Sequence, residues 1–447
     1  YTGSTTVNAG TFGLSSDSNL GTAPSRVQTG QLVVNNGASL YFYPVFTSNL
    51  NTNRGITLTG STTFNTATGS EVTYAGIVAG TGSLTKAGAG TLILTGTNTY
   101  STTTVSASTL QIGNGGTTGT WGTGALVDNA ALVISRSDDI TLAHAISGTG
   151  TLSKLGNNIL TLTGSQTYSG ATNVAAGGVV FQNDVAPSTS GFTGAGTVTI
   201  EPTSTSFTSA LSSSYAFANT LTGVRLGKEG NVTDITTTTP ISIAGPIALY
   251  GNALAINNDV QSSGLGAKVL FKAASNITLD VSRSVVTNGG DITFWADSDA
   301  SGAGGIVLKN GTTLDARRSV DRAANLTSNA TNGGVITLAG GLDDGGVASG
   351  ASALIAGLVA SDGRPDGYAV NYGGTAVQYG IMLGNESVVA GQNANIKLYS
   401  GGGDIRLQGL VTTVVGGGSN GPTGLIAYQG VNMDAGVEGN LRLLGSA

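Results

Sequence analysis

The chain has 447 residues, 72 of them Gly, more than twice the roughly 7 % of average usage, and only 9 % are charged, where about 25 % is ordinary. With 39 % hydrophobic residues and a net charge of −6, the composition excludes a disordered chain, and 8 Pro without a three-residue Gly period exclude collagen. Cys is absent, which removes any disulfide framework or thiolate metal site, and 18 Lys+Arg against 24 Asp+Glu leave no basic face for nucleic acid.

From the N-terminus onward, apolar residues alternate with Thr, Ser and Asn, as in Thr91-Leu92-Ile93-Leu94-Thr95. Period two with β-branched residues predicts strands, and the Gly and Asn that punctuate them predict tight turns. Gly80-Thr81-Gly82-Ser83-Leu84-Thr85-Lys86 recurs as Gly148-Thr149-Gly150-Thr151-Leu152-Ser153-Lys154, an offset of 68 that persists at Leu92/Leu160, Gly96/Gly164 and Tyr100/Tyr168. Between 203 and 240 the pattern is interrupted by Ser212-Ser213-Ser214, by Thr236 to Thr239 and by Pro240. A boundary is placed there, between a segment 1–205 and a segment 206–447 continuous with it.

The second segment resumes the alternation at Ile277-Thr278-Leu279 and at Gly289-Gly290-Asp291-Ile292-Thr293-Phe294. The latter returns as Gly333-Gly334-Val335-Ile336-Thr337-Leu338 and as Gly402-Gly403-Asp404-Ile405-Arg406-Leu407, at offsets of 44 and 69. Halves of 44 and thirds of 68 and 69 all give 22–23 residues. A rung of that length, built of short strands and tight turns, predicts an all-β chain folded as a parallel β-solenoid. About 20 such rungs at ~4.8 Å each would make a rod of ~95 Å. No helical stripe stands out. The string Leu314-Asp315-Ala316-Arg317-Arg318-Ser319-Val320-Asp321-Arg322-Ala323-Ala324 is read as an extruded charged loop rather than a short helix.

No apolar run reaches the roughly 18 residues of a membrane span; the longest, Ala353 to Ala360, contains Gly357. Residue 1 is Tyr and no leader pattern follows it, so the chain is expected to be an internal piece of a longer precursor.

The stretch from Gly80 through Gly96 to Tyr100 resembles the passenger-associated transport repeat of bacterial autotransporters, and Ile146 to Val180 matches nearly as well. Tyr1-Thr2-Gly3-Ser4-Thr5-Thr6-Val7-Asn8-Ala9-Gly10-Thr11 is similar to the second half of that repeat, as though the chain starts mid-repeat. Residues 275–447, with their Gly-Gly-Asp-Ile-Thr rungs and Gly367-Tyr368-Ala369-Val370, resemble the shaft of filamentous-haemagglutinin-type exoproteins. The C-terminal membrane barrel usual in such families is missing from an end that reads Leu441-Arg442-Leu443-Leu444-Gly445-Ser446-Ala447, and no N-terminal secretion domain is recognisable. The resemblance implies a right-handed parallel β-helix, secreted or displayed on a bacterial surface, and a Cys-free chain fits that setting.

Candidate chemistry is sparse. His144 is the one His, preceded by Asp138 and Asp139, but no nucleophile elbow lies near it and a structural His is expected. Carboxylates for polysaccharide cleavage would come from Asp138/Asp139, Asp297/Asp299 or Asp343/Asp344, and Asp297 and Asp299 share a face if their strand continues. Adjacent Asp in Gly-rich strings are more often turn residues. Gly416-Gly417-Gly418-Ser419-Asn420-Gly421 has the spacing of a phosphate loop, yet Pro422 follows in place of a helix. No catalytic residue, cofactor or metal is therefore assigned.

For contacts, alternation turns Trp295 outward, where it would meet a glycan or partner unless the stretch 300–305 covers it. Arg317, Arg318 and Arg322 are the other contact candidates. The expected function is an extracellular, non-enzymatic adhesin or shaft whose loops meet a host cell, a neighbouring cell or a glycan. The alternatives are a self-associating filament or sheath subunit, joined end to end or side by side, and a polysaccharide-cleaving β-helix enzyme.

Overall fold

The computed structural model describes residues 1–44, 49–301, 304–309, 311–324, 333–342 and 365, together with the strands Ile381–Leu383, Ile396–Tyr399, Ile405–Gln408, Val411–Thr413, Val431–Asp434 and Leu441–Leu444. Asp343/Asp344, Ala353 to Ala360, Gly367 to Val370, Gly402-Gly403, Gly416 to Gly421 and Gly445 to Ala447 lie outside the described residues. The fold is a β-solenoid of parallel sheets with almost no helix. Contacts divide the chain into two compact units, Tyr1–Val198 and Thr199–Ala447; the expected boundary, 205/206, lies seven residues further on.

In the first unit, one face stacks Thr11–Leu14, Ser39–Phe42, Ser61–Thr66, Ser83–Ala87, Thr103–Val105, Leu126–Asp128 and Ile146–Ser147. On a second face, Glu71–Tyr74 is followed by Thr91–Leu94, Thr109–Ile112, Ala131–Ser135 and Thr151–Leu155. Because side chains alternate, each inward position sits on its equivalent one rung away. Val72, Leu92, Leu110, Leu132 and Leu152 form such a column, and none is more than 1 % exposed. Burial of each contributes roughly 1.5–3 kcal/mol. The outward neighbours Thr91 and Thr109 stay partly in water.

In the second unit, Val224, Ile247, Val269 and Ile292 stack at spacings of 23, 22 and 23 residues, the length divided out of the repeats. Elsewhere that arithmetic is corrected. Rungs of the first unit vary on both sides of that length, since Thr11 pairs Ser39 after 28 residues, Leu84 pairs Thr103 after 19 and Thr91 pairs Thr109 after 18. The offset of 68 is no whole number of rungs. Three rungs from Leu84 end at Ile146, and Leu152 has moved to the next face. The offsets of 44 and 69 are one rung each, because Ile336 pairs directly with both Ile292 and Ile405. Five rungs expected over that stretch are two. The physical reason is that Gly-Gly-x-Ile marks the return to one face, however long the excursion between returns.

Glycine is required where successive turns touch. A Cβ on Gly96 would lie 2.0 Å from the Gly76 carbonyl oxygen, and one on Gly164 would lie 2.2 Å from that of His144. Replacing Gly96 by Val is therefore expected to force the two turns apart and destabilise the first unit by 1–3 kcal/mol. A urea midpoint unchanged from native would refute that contact.

The charged string is not an extruded loop. Thr313–Asp315 is a strand, Leu314 is fully buried, and Ser319–Ala323 forms a five-residue helix.

Candidate functional site

The two matching repeats place their most distinctive side chains inside. Lys86 and Lys154 are fully buried on inward columns, Lys86 between Phe64 and Val105 and Lys154 between Ile134 and Val174. Each ammonium donates to three turn carbonyls: Lys86 to Ala87 at 3.0 Å and to Gly88 and Ala107 at 3.1 Å, Lys154 to Gly156 at 2.7 Å, Ala176 at 3.1 Å and Asn158. Burial pushes Lys86 down to about 8 and lowers Lys154 as well. Tyr100 and Tyr168 are also equivalent, meeting the hydroxyls of Thr103 at 3.0 Å and Thr172 at 2.6 Å. These residues staple rungs together and do not form a surface site.

Burial pushes the Tyr100 phenol up to about 12 and raises Tyr168 further. Above pH ~10 the unfolded chain releases those protons while the folded chain keeps them. The stability they carry is thus complete below pH ~10 and lost as pH rises through about 12. Tyr100→Phe should flatten the fall in melting temperature over that window, and an unchanged slope would refute the assignment.

The enzyme-like residues are tied into structure. Asp138 accepts from Arg136 Nε at 2.9 Å and Nη2 at 2.7 Å, which holds its carboxyl below the usual range. Asp139 accepts from the Ile159 amide at 2.7 Å. His144 lies edge-on to Trp121 with centroids 5.1 Å apart, burial lowers its pKa, and its Nδ1 has no hydrogen-bond partner among the described residues. Asp297 and Asp299 do not share a strand face: the strand Ile292–Ala296 ends first, Asp297 is buried at φ 48°, and Asp299 is exposed. No group of three or more His, Cys, Asp or Glu able to hold a metal ion occurs among the described residues. None of their helices is long and apolar enough to cross a membrane.

The contact candidates fare differently from one another. Arg317 grips both oxygens of the buried Asp315, at 3.0 and 2.8 Å, and lies 4.1 Å from the Tyr399 ring centroid. Arg322 turns onto the same carboxylate at 3.3 Å and donates to the Thr287 and Arg317 carbonyls. Both brace the charged string, and half-buried Arg318 is its one arginine not turned onto Asp315. Trp295 does stand on the outward side of its strand, but it is only 4 % exposed. Lys272 Nζ sits 3.8 Å above its ring, and its indole N–H donates to the Gly341 carbonyl at 2.7 Å. The ring is covered, and the cover is Lys272, its neighbour on the preceding rung.

That cover belongs to a cleft. Four successive strands, Gly223–Leu226, Ile247–Gly251, Val269–Ala273 and Ile292–Ala296, pair in order. Tyr250, Lys272 and Trp295 follow one another in the outward column, so they form a ladder at roughly 4.8 Å per step. The turns after Gly251 and Ala273 are short, with two and three residues before the next strand, whereas eight follow Leu226. The short turns leave a floor of Tyr250, Gly251, Lys272 and Ala274 between a wall at 228–232 and another at Ser298 and Asp299, enclosing about 220 Å³. Asn231 builds the wall, donating to the Tyr250 carbonyl at 2.8 Å. Lys272 ties floor to wall through an ion pair with Glu229. Sequence reading missed Tyr250, although the alternation in Ile247-Ala248-Leu249-Tyr250 turns it outward by the same logic applied to Trp295.

The repeats of a known family lie in the first unit. The passenger-associated-transport-repeat family matches residues 84–112 and 152–180. The adhesin BmaC autotransporter of Brucella suis biovar 1 (strain 1330) is 36 % identical over 155 residues, which are 34 % of this chain and 4 % of that protein. The chain thus spans a small part of that relative's length. No solved structure matches it. The chain thus carries two passenger-associated transport repeats and is similar, over about a third of its length, to part of an autotransporter adhesin.

Proposed function

We propose that the chain serves adhesion: it is an extracellular, non-enzymatic part of a surface passenger whose stacked rungs hold contact loops away from the cell. The observation that carries this reading is the 36 % identity to a protein named as an adhesin, over 155 residues. The solenoid supports it mechanically, because rungs stack one on the next while many outward positions, such as Thr91, Thr109 and Thr161, are polar and reach water. Two of the candidate enzyme carboxylates, Asp138 and Asp139, are engaged by Arg136 and by the Ile159 amide. Contact loops include the stretch around Arg318 and Val320, the latter 61 % exposed.

Display of the parent protein on a non-adherent bacterium, with and without residues 1–447, tests the proposal. Attachment to epithelial cells or to a neighbouring cell layer should fall when the segment is removed. Equal attachment at equal surface display would overturn the adhesion reading. Release of reducing ends from pectin, alginate or peptidoglycan by the purified chain would overturn its non-enzymatic part.

A further inference from the structure

We infer that the cleft over Tyr250 and Lys272 is a binding site for a neutral sugar, with one saccharide ring stacked on Tyr250 and its hydroxyls met by groups of both signs at the rim. The proposal rests on the adhesion reading for its use at a cell surface and on the cleft itself for the ligand class. Tyr250 is half-buried on an outward ladder, and Gly251 and Ala274 beside it carry almost no side chain that would fill the space above its face. An aromatic face flanked by small residues suits the apolar C–H face of a pyranose.

The rim supplies Lys228 and Lys272 against Glu229 and Asp299, so its formal charge is zero. An acidic or basic ligand gains nothing net there. A ligand that both donates and accepts through neutral hydroxyls can use both signs at once. Glu229 is 76 % exposed even while paired with Lys272, which leaves carboxylate surface open to a hydroxyl donor. Tyr250 has no hydrogen bond from its own hydroxyl to any described residue, so that group too is available. The volume of about 220 Å³ falls below the 300–1,000 Å³ of drug-sized sites, which points to a single ring, a terminal or branch residue of a glycan.

Trp295 provides the signal. It lies directly beneath Lys272, so a ligand that moves the ammonium changes the indole's surroundings, while Trp121, the other Trp, is in the first unit. Titration of the purified chain with the methyl glycosides of glucose, galactose, mannose and N-acetylglucosamine, followed by Trp emission and saturation-transfer NMR, is expected to give a saturable response for at least one. Tyr250→Ala and Tyr250→Leu should each weaken it about tenfold or more, whereas Tyr43→Ala, an exposed ring in the first unit, should not. Melting curves like native for the Tyr250 variants keep the comparison valid, and Tyr250→Leu stands in where Tyr250→Ala does not fold.

No saturation by about 50 mM, native-like binding by both Tyr250 variants, or a response to N-acetylneuraminic acid or glucosamine alone would each overturn the inference. On cells, attachment lost on deleting the segment but unchanged in Tyr250→Leu would overturn the sugar site and leave the adhesion reading standing.

Discussion

Leu160→Asp is expected to unfold the rungs on either side of residue 160, while Thr161→Asp, one position along, leaves them folded. Leu160 is fully buried and stacks between Ile140 and Val179. A carboxylate there has no cation or amide to meet, and burying it unpaired costs several kcal/mol, a large part of what holds a unit folded. Thr161 pairs Thr141 and Val180 on the outward side and keeps contact with water, where a substitution usually stays within about 0.5 kcal/mol. Since each rung touches chiefly its neighbours, protection from hydrogen exchange should fail first in the strands Ile140–Leu142 and Gly178–Gln182. The strands near residue 40 should hold longest. Equal loss in both variants, or loss spread evenly over the first unit, would refute the register.

The same alternation explains how much of the fold could be read in the residues. Thr91-Leu92-Ile93-Leu94 declares a strand, and the structure buries Leu92 and Leu94 to 1 % and 0 %. Ile93, on the outward side, is nevertheless 3 % exposed, because packing outside the sheet also decides burial and no local period reports it. Rung length was less legible, since a repeat records when the chain returns to a similar strand and says nothing of the face or of the insert between. Hence Leu92 and Leu160, equivalent in sequence, lie in different sheets.

The cleft was half legible. Trp295 was correctly turned outward, but its cover comes from Lys272, 23 residues earlier, and only the rung register brings the two together. Arg317 and Arg322 looked solvated because nothing in their string reveals that Asp315 is buried between them.

Arg54→Ala should cost the first unit about 1–3 kcal/mol, less than the penalty for stranding a fully buried charge because Asp17 is 24 % exposed. Arg54 is 1 % exposed, and its guanidinium meets Asp17 through Nε at 2.9 Å and Nη2 at 3.2 Å. The same group donates to the carbonyls of Leu20 at 2.9 Å and Gly21 at 2.5 Å, closing the short 3₁₀ turn Asp17–Leu20 onto the strand Arg54–Leu58. The Tyr74 hydroxyl donates to the Arg54 carbonyl, linking a further rung. Alanine in place of Arg54 leaves two carbonyls without this donor and Asp17 with the Asn51 amide, at 3.0 Å, in place of the guanidinium. The pair itself need not be strongly stabilising, since charges buried together lose solvation that their attraction only partly returns. Arg54→Met combined with Asp17→Leu should therefore cost clearly less than Arg54→Ala alone. Urea denaturation of the three proteins measures the difference, and limited proteolysis should nick Arg54→Ala between residues 15 and 27 before any site beyond 150. A single variant within about 0.5 kcal/mol of native, or a double variant costing more than Arg54→Ala, would show that this guanidinium does not hold the turn in place.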